Sequence, residues 1–494
     1  MTDEMGIRGL QRAMRSGEIT ARLLLDRCLE RIDAIDRNGP KLNSILEVNP
    51  DAMAIAETLD AERTQDGPRG PLHGIPVVLK GNIDSADRMT TTAGSLSLAG
   101  SIPPRDAFLV ERLRAAGALI LGKANLSEWA NFRGKNSLSG WSSQGGQTRN
   151  PYDSDRSPCG SSSGSAVAVA AALCAVAIGT ETDGSIVCPA QTCGIVGIKP
   201  TIGLVSRTGI IPIAHSQDTA GPMARTVEDA AILLNALIGE DPRDPATRTA
   251  PFERGVDYAR HLDLDGLRGA RIGVARNFFG SHRGVDRLMG SCLEAMKDLG
   301  AVLVDPANVE TAQALREPEL EVLLYEFKHD LNAYLASLGP GAPVKSLDEI
   351  IAFNEAHADE VMPHFGQELM MMAQGKGPLT EEAYSKALET NLRLARVEGI
   401  DATLQKYDLD AIVAPTGGPA WLIDTVHGDY GIGGCSSPAA VAGYPHVTVP
   451  AGYVAGLPVG LSFFGAAWDE AKLIRFAFAF ERTTEARRPP KLRV

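Results

Sequence analysis

The sequence predicts an α/β fold, a large, mostly parallel or mixed central β-sheet covered by helices on both faces. Three observations predict it. Short β-type runs alternate with stretches of helical periodicity over most of the 494 residues. The apolar fraction is 44%, enough to bury a sizeable core. The longest uncharged apolar run, residues 166–179, is almost entirely Ala, Val and Leu, a composition suited to burial on all sides.

Near the N-terminus Thr20 is a good N-cap, and Leu24, Cys28, Ile32 and Ile35 recur at helical spacing, so residues 19–36 form an amphipathic helix lying on the sheet. β-type runs are expected at Pro76 to Leu79, Ala118 to Leu121, Ala175 to Ile178 and Gly194 to Ile198. Four more fall at Arg271 to Val274, Val302 to Val304, Ala411 to Ala414 and Val447 to Pro450. The run 166–179 is about 14 residues, short of the roughly 20 needed to span a bilayer, and reads as a core helix leading into a strand. Between about 240 and 400 charged helical stretches such as Glu319 to Leu335 and Glu381 to Leu404 replace the small-residue texture, giving a peripheral helical layer. Neither an internal repeat nor a low-complexity linker breaks the chain, so residues 1–494 are expected to be a single domain.

Composition narrows the partners. The net charge is formally −13 and basic residues form no long run, which argues against nucleic acid or an anionic membrane surface and favours small neutral or cationic substrates. Met1-Thr2-Asp3-Glu4-Met5 carries acid where a secretory leader carries base, and a cytoplasmic protein is expected. The seven cysteines are scattered and odd in number, so reduced, mostly buried thiols are expected. The nine histidines show no metal-ligand spacing, and Cys188 and Cys193 read as core residues, so no metal is expected.

Three polar groups suggest nucleophilic chemistry. Lys80 ends the apolar run Val77-Val78-Leu79, where removal from water favours its neutral form. Ser161 lies in Cys159-Gly160-Ser161-Ser162-Ser163-Gly164-Ser165, directly before the small-residue helix, whose dipole adds positive potential there. Ser185 ends Thr180-Glu181-Thr182-Asp183-Gly184-Ser185, a turn in which Gly184 permits unusual backbone angles and successive N–H groups can converge. A serine that attacks an amide needs a base and preset donors for the negative oxygen, and these segments can supply both.

Together these motifs resemble the amidase signature family, in which a neutral lysine acts through a bridging serine to activate a second serine. The spacing 185 − 161 = 24 matches, as do Leu121 to Glu128, Cys193 to Thr201, Gly221 to Arg225 and Gly456 to Leu461; the likeness is weakest over 240–400. The resemblance implies the amidase signature fold and an amide hydrolase working through a serine acyl-enzyme. It implies the roles nucleophile for Ser185, bridge for Ser161 through a cis peptide, and base for Lys80. The oxyanion hole falls to the backbone of Thr182, Asp183, Gly184 and Ser185, and no cofactor is implied. Thr-Glu-Thr-Asp-Gly-Ser is similar to the variant in bacterial peptide amidases, which remove the C-terminal carboxamide of peptides with release of ammonia. Cys159, Ser163 and Gly81 depart from residues common in the family. Asp183 departs more sharply, since an acid beside the oxyanion hole opposes the developing charge. It either turns into the pocket to meet a substrate N–H or cation, or makes a structural hydrogen bond.

Competing readings use the same residues. Gly160 to Gly164 also fits G-x-S-x-G, with Ser162 as nucleophile and His427 or His446 as partners, but the preceding Asn150 to Pro158 is loop-like rather than a strand. The readings from other classes are a noncatalytic scaffold and an amidotransferase-type subunit. Short-peptide or small-molecule amides are the expected partners, with aryl or aliphatic amides as the alternative substrates and the oligomeric state open. Ala130 and Asn131, with Trp129, Phe132, Arg133 and Trp141, are candidates for the pocket, although buried aromatics are more often core. Met362 and Met370 to Met372 are candidates for an adaptable apolar wall.

Overall fold

Thr20 accepts a hydrogen bond from the Leu23 backbone N–H at 3.0 Å and starts the helix Ala21–Arg31, as the N-cap signal predicts; one wide turn, Ile32–Arg37, continues it. The computed structural model describes residues 4–251, 257–431 and 433–492. The first three residues of the acidic N-terminal segment lie outside them.

The strands, in chain order, are β1 (Ile45–Val48), β2 (Pro76–Lys80), β3 (Leu119–Ala124), β4 (Trp141–Ser142), β5 (Gly146–Gln147), β6 (Val176–Glu181) and β7 (Val196–Lys199). β8 (Thr219–Ala224), β9 (Arg271–Val274), β10 (Val302–Val304), β11 (Ala411–Pro415), β12 (His446–Val454) and β13 (Leu457–Phe464) complete them. β4 and β5 form a small ribbon, and the rest form an eleven-stranded mixed sheet in the order β1-β3-β2-β6-β8-β7-β12-β13-β11-β9-β10. Helices cover it, so the expected α/β architecture holds.

The eight expected runs are all strands of this sheet. Three more join it. β1 is a short edge strand, while β8 and β13 sit inside, where Thr-Ala-Gly-Pro-Met-Ala in β8 reads locally as a turn because Gly and Pro are poor in central strands. The neighbours explain it: a Cβ on Gly221 would stand 2.0 Å from the Ile198 carbonyl oxygen, so only glycine lets β8 approach β7.

The small-residue run folds as expected into the helix Ser163–Ala170, buried at every position, followed by the fully buried β6. β2 runs parallel to β6 with Leu79 opposite Ile178. The parallel register carries Lys80 and Thr180 out at the same carboxyl ends of neighbouring strands, where open α/β sheets place their sites.

The region 240–400 supplies the sheet edge β9 and β10 and a layer of helices, including Arg316–Ser337. Leu324, Phe327 and Leu331 of that helix pack with Trp129, Phe132 and Met370 in a second apolar core. Met371 and Met372, by contrast, are exposed, so the methionine run divides between core and surface.

One expectation is corrected. Cys159 and Cys188 form a disulfide, with Cα atoms 6.0 Å apart, in place of two free thiols. Scattered cysteines gave no hint of it because 29 residues separate the pair, and only the return of the chain through β6 brings the two serine-bearing segments together. The other five cysteines are buried. Among the described residues no helix is long and apolar enough to cross a membrane.

Candidate active site

Lys80 is completely buried. Its Nζ donates to the Thr180 carbonyl oxygen at 3.0 Å and to Thr180 Oγ1 at 2.8 Å, and lies 2.7 Å from Ser161 Oγ. Asn82 Nδ2 also donates to Thr180 Oγ1, at 3.0 Å, and fixes that hydroxyl. Burial pushes the lysine down to about 7; the negative Asp218 and Glu181 nearby work against this shift and are outweighed. A neutral amine has two hydrogens and one lone pair, so two hydrogens on the Thr180 oxygens leave the lone pair for the Ser161 hydroxyl.

Ser161 follows a cis peptide bond from Gly160. Its carbonyl oxygen accepts from the Ser127 N–H at 3.1 Å, and the Ser162 N–H donates to the Ser185 carbonyl oxygen at 3.1 Å, so the two serine segments are stitched directly together. Among the described residues no hydrogen bond joins the Ser161 and Ser185 hydroxyls. Ser162 is fully buried and occupied: its hydroxyl donates to the Thr180 carbonyl oxygen at 3.0 Å and accepts from the Thr180 N–H at 3.2 Å. His427 lies exposed against Asp424, and His446 is buried against Ser462, so neither serves Ser162. The nucleophile-elbow reading therefore fails.

The turn 182–185 presents free donors. None of the backbone N–H groups of Thr182, Asp183, Gly184 and Ser185 donates to another described group. Gly184 takes φ +78°, which glycine adopts without strain. Glu181 closes the loop: its Oε2 accepts from the Ile186 and Val187 N–H groups at 2.7 and 3.0 Å. Thr182 Oγ1 donates to Asp218 at 2.5 Å. Asp183 makes a hydrogen bond of the structural kind, accepting from Ser437 Oγ at 2.6 Å.

Ala130 lines a cavity of about 400 Å³ together with Asn82, Thr180, Thr182 and Asp218. Trp129, Ala130 and Asn131 all have left-handed backbone angles, a sharp local turn that aims this segment. Trp129 and Phe132 belong to the second apolar core, and Trp141 packs against Phe365, so these aromatics are structural. His215, Glu326 and Asp330 bring potential ligand atoms within 4.8 Å of one another. They hold each other: His215 Nδ1 lies 2.8 Å from Asp330, and Glu326 accepts from Tyr384 and Ser216.

Sequence reasoning missed Asn82, Thr180 and Glu181. Only Glu181 left a local signal, a carboxylate a few residues before the N–H groups it holds.

A family model described as Amidase matches residues 24–474. The chain belongs to the amidase signature family. The native peptide amidase from Stenotrophomonas maltophilia shares 53% identity at a TM-score of 0.96, the match covering 100% of this chain and 99% of that one. A probable amidase of Arabidopsis thaliana is 41% identical over 99% of this chain and 91% of its own length. A glutamyl-tRNA(Gln) amidotransferase subunit of Chloroflexus aurantiacus is 37% identical over 96% of each. The amidase signature fold with its large mixed sheet is thus common to this chain and its structural relatives.

Proposed function

We propose that this amidase hydrolyses the C-terminal carboxamide of short peptides, releasing ammonia through an acyl-enzyme on Ser185. The observation that carries the reading is a buried Lys80, brought down to about 7 and placed 2.7 Å from Ser161 Oγ, beside a turn whose four backbone N–H groups are free. Lys80 accepts the Ser161 proton, Ser161 takes that of Ser185, and Ser185 attacks the carbonyl carbon. The oxygen that becomes negative is met by the N–H groups of Thr182, Asp183, Gly184 and Ser185. The relay then runs backwards: Ser161 protonates the departing nitrogen and regains a proton from Lys80. Water, deprotonated by the same relay, releases the acid. The relay calls for the Ser185 hydroxyl to meet Ser161 once substrate is seated, since catalytic hydrogen bonds often tighten only then.

All proton transfers use lysine and serine, so the reading calls for no metal or cofactor. The choice of peptide amides rests on likeness to peptide amidase, with Ala130 and Asn131 as substrate contacts. We treat residues 1–494 as one functional unit, supported by a sheet whose strands come from both halves of the chain. The likeness to the amidotransferase subunit supports a second reading, glutaminase activity dependent on partner chains.

The test is ammonia release by the purified chain from peptide amides, glutamine and aryl amides, with a fluorophosphonate label located by mass spectrometry. Label on Ser185, and a loss of at least about 10³-fold in Ser185→Ala, are expected. Activity on glutamine alone, appearing only with added partner chains, would favour the second reading.

A further inference from the structure

The sequence connects Glu319, on the helix Arg316–Ser337 of the covering layer, with no site at all. The fold brings it to the turn 182–185: Gln217 Nε2 donates both to Glu319 Oε1 at 2.9 Å and to the Thr182 carbonyl oxygen at 3.3 Å, and Asp183 is the acid whose charge Glu319 senses there. We infer that Glu319 and Asp183 form a carboxylic acid–carboxylate pair sharing one proton, and that Glu319 is thereby a positioning residue for the turn 182–185. The inference rests on the reading of that turn as an oxyanion hole and assigns a role to its unusual acid.

The donor and acceptor pattern has a place for the proton. Asp183 Oδ2 accepts from Ser437, while its Oδ1 is buried and meets no donor if both carboxyls are ionised. Glu319 Oε1 accepts from Gln217 Nε2 at 2.9 Å. A proton on the remaining Glu319 oxygen supplies the missing donor to Asp183 Oδ1 and removes a repulsion between adjacent anions. Burial and the facing Asp183 both push the Glu319 carboxyl well above the usual carboxylate range, in the same direction.

The pair grips the turn at two points. Gln217 Nε2, besides meeting Glu319, donates to the Thr182 carbonyl oxygen at 3.3 Å, and Asp183 is itself part of the turn. Ser437 also ties Asp183, and the neighbouring Ser436 stands against Gly184. The covering layer and the segment before β12 thus fix the orientation of the free N–H groups together.

This arrangement predicts an alkaline limit to activity. Loss of the shared proton leaves two negative charges facing each other where the reaction builds a third. The other charged or titratable groups that sense Asp183 are Glu181 on β6, Lys199 on β7 and the Cys435 thiol. Lys199 is lowered to about 8 and is the main competitor for an alkaline limb.

The experiment compares kcat and KM across pH for the wild type, Glu319→Gln and Glu319→Ala. The glutamine amide can donate to Asp183 but cannot ionise, so the alkaline fall in kcat should move to higher pH or vanish. Alanine should lower kcat by about tenfold at every pH with KM changed by less than about twofold, and glutamine should restore most of that loss. A difference infrared spectrum, wild type minus Glu319→Gln near neutral pH, should contain the carbonyl band of a protonated carboxyl. An unshifted alkaline limb in Glu319→Gln, or absence of that band, overturns the inference. Failure of the functional reading would look different, as a wild type that releases no ammonia and carries no label on Ser185.

Discussion

At the level of single residues, burial decides the chemistry of Lys80. Two carboxylates, Asp218 and Glu181, favour its charged form, yet withdrawal from water outweighs them and brings it down to about 7. In the proposed relay the neutral amine is the base, so activity should rise as pH passes upward through about 7 and fall away below it. A profile of kcat against pH checks this; an acidic optimum would contradict lysine as the base. The members of the proposed relay, Lys80, Ser161 and Ser185, could be singled out in the sequence because each sits in a motif with its own local grammar: a strand end, a serine-rich loop before a helix, a glycine turn. Thr180, Asn82 and Glu319 were not. Their roles depend on which strand or helix lies beside them, and no spacing along the chain encodes that.

Among the secondary-structure elements, two ties hold the site segments in place. Arg133 is fully buried, pairs with Glu128 at 2.8 Å, donates to the carbonyl oxygens of Val361 and Phe365, and lies 4.0 Å over the Phe365 ring. It joins the segment carrying Ala130 and Asn131 to the covering layer. Arg133→Met should cost about 3–5 kcal/mol, because Glu128 would be left as a buried, uncompensated charge. Denaturant unfolding measures the cost, and the double variant Arg133→Met with Glu128→Gln should recover part of it. The second tie is the Cys159–Cys188 disulfide, which bridges the loop before Ser161 to the helix after Ser185. Cys159→Ser should lower stability by about 2–4 kcal/mol, and excess reductant should bring the wild type close to the variant. Strands with ordinary β composition were readable from local pattern. β8 was not, since a central strand containing Gly and Pro is stabilised by its neighbours rather than by its own residues.

For the molecule as a whole, the disulfide bears on location. Such bonds persist in oxidising compartments, whereas thiols in a reducing compartment stay unpaired. Peptide mapping of protein isolated under alkylating conditions separates the two: the peptides carrying Cys159 and Cys188 stay linked if the pair is oxidised in the cell and are both alkylated if it is reduced. Local pattern was enough to specify the α/β class, through alternating periodicities, and the position of the serine and lysine motifs, through short-range signals that survive without neighbours. Folding in three dimensions was needed for the parallel register that sets Lys80 beside Thr180, the closure of Cys159 on Cys188, and the meeting of Glu319 with Asp183. The physical reason is common to all three. Burial, charge proximity and hydrogen-bond partnership act through space, and each of these pairs is brought together by the fold from distant parts of the chain.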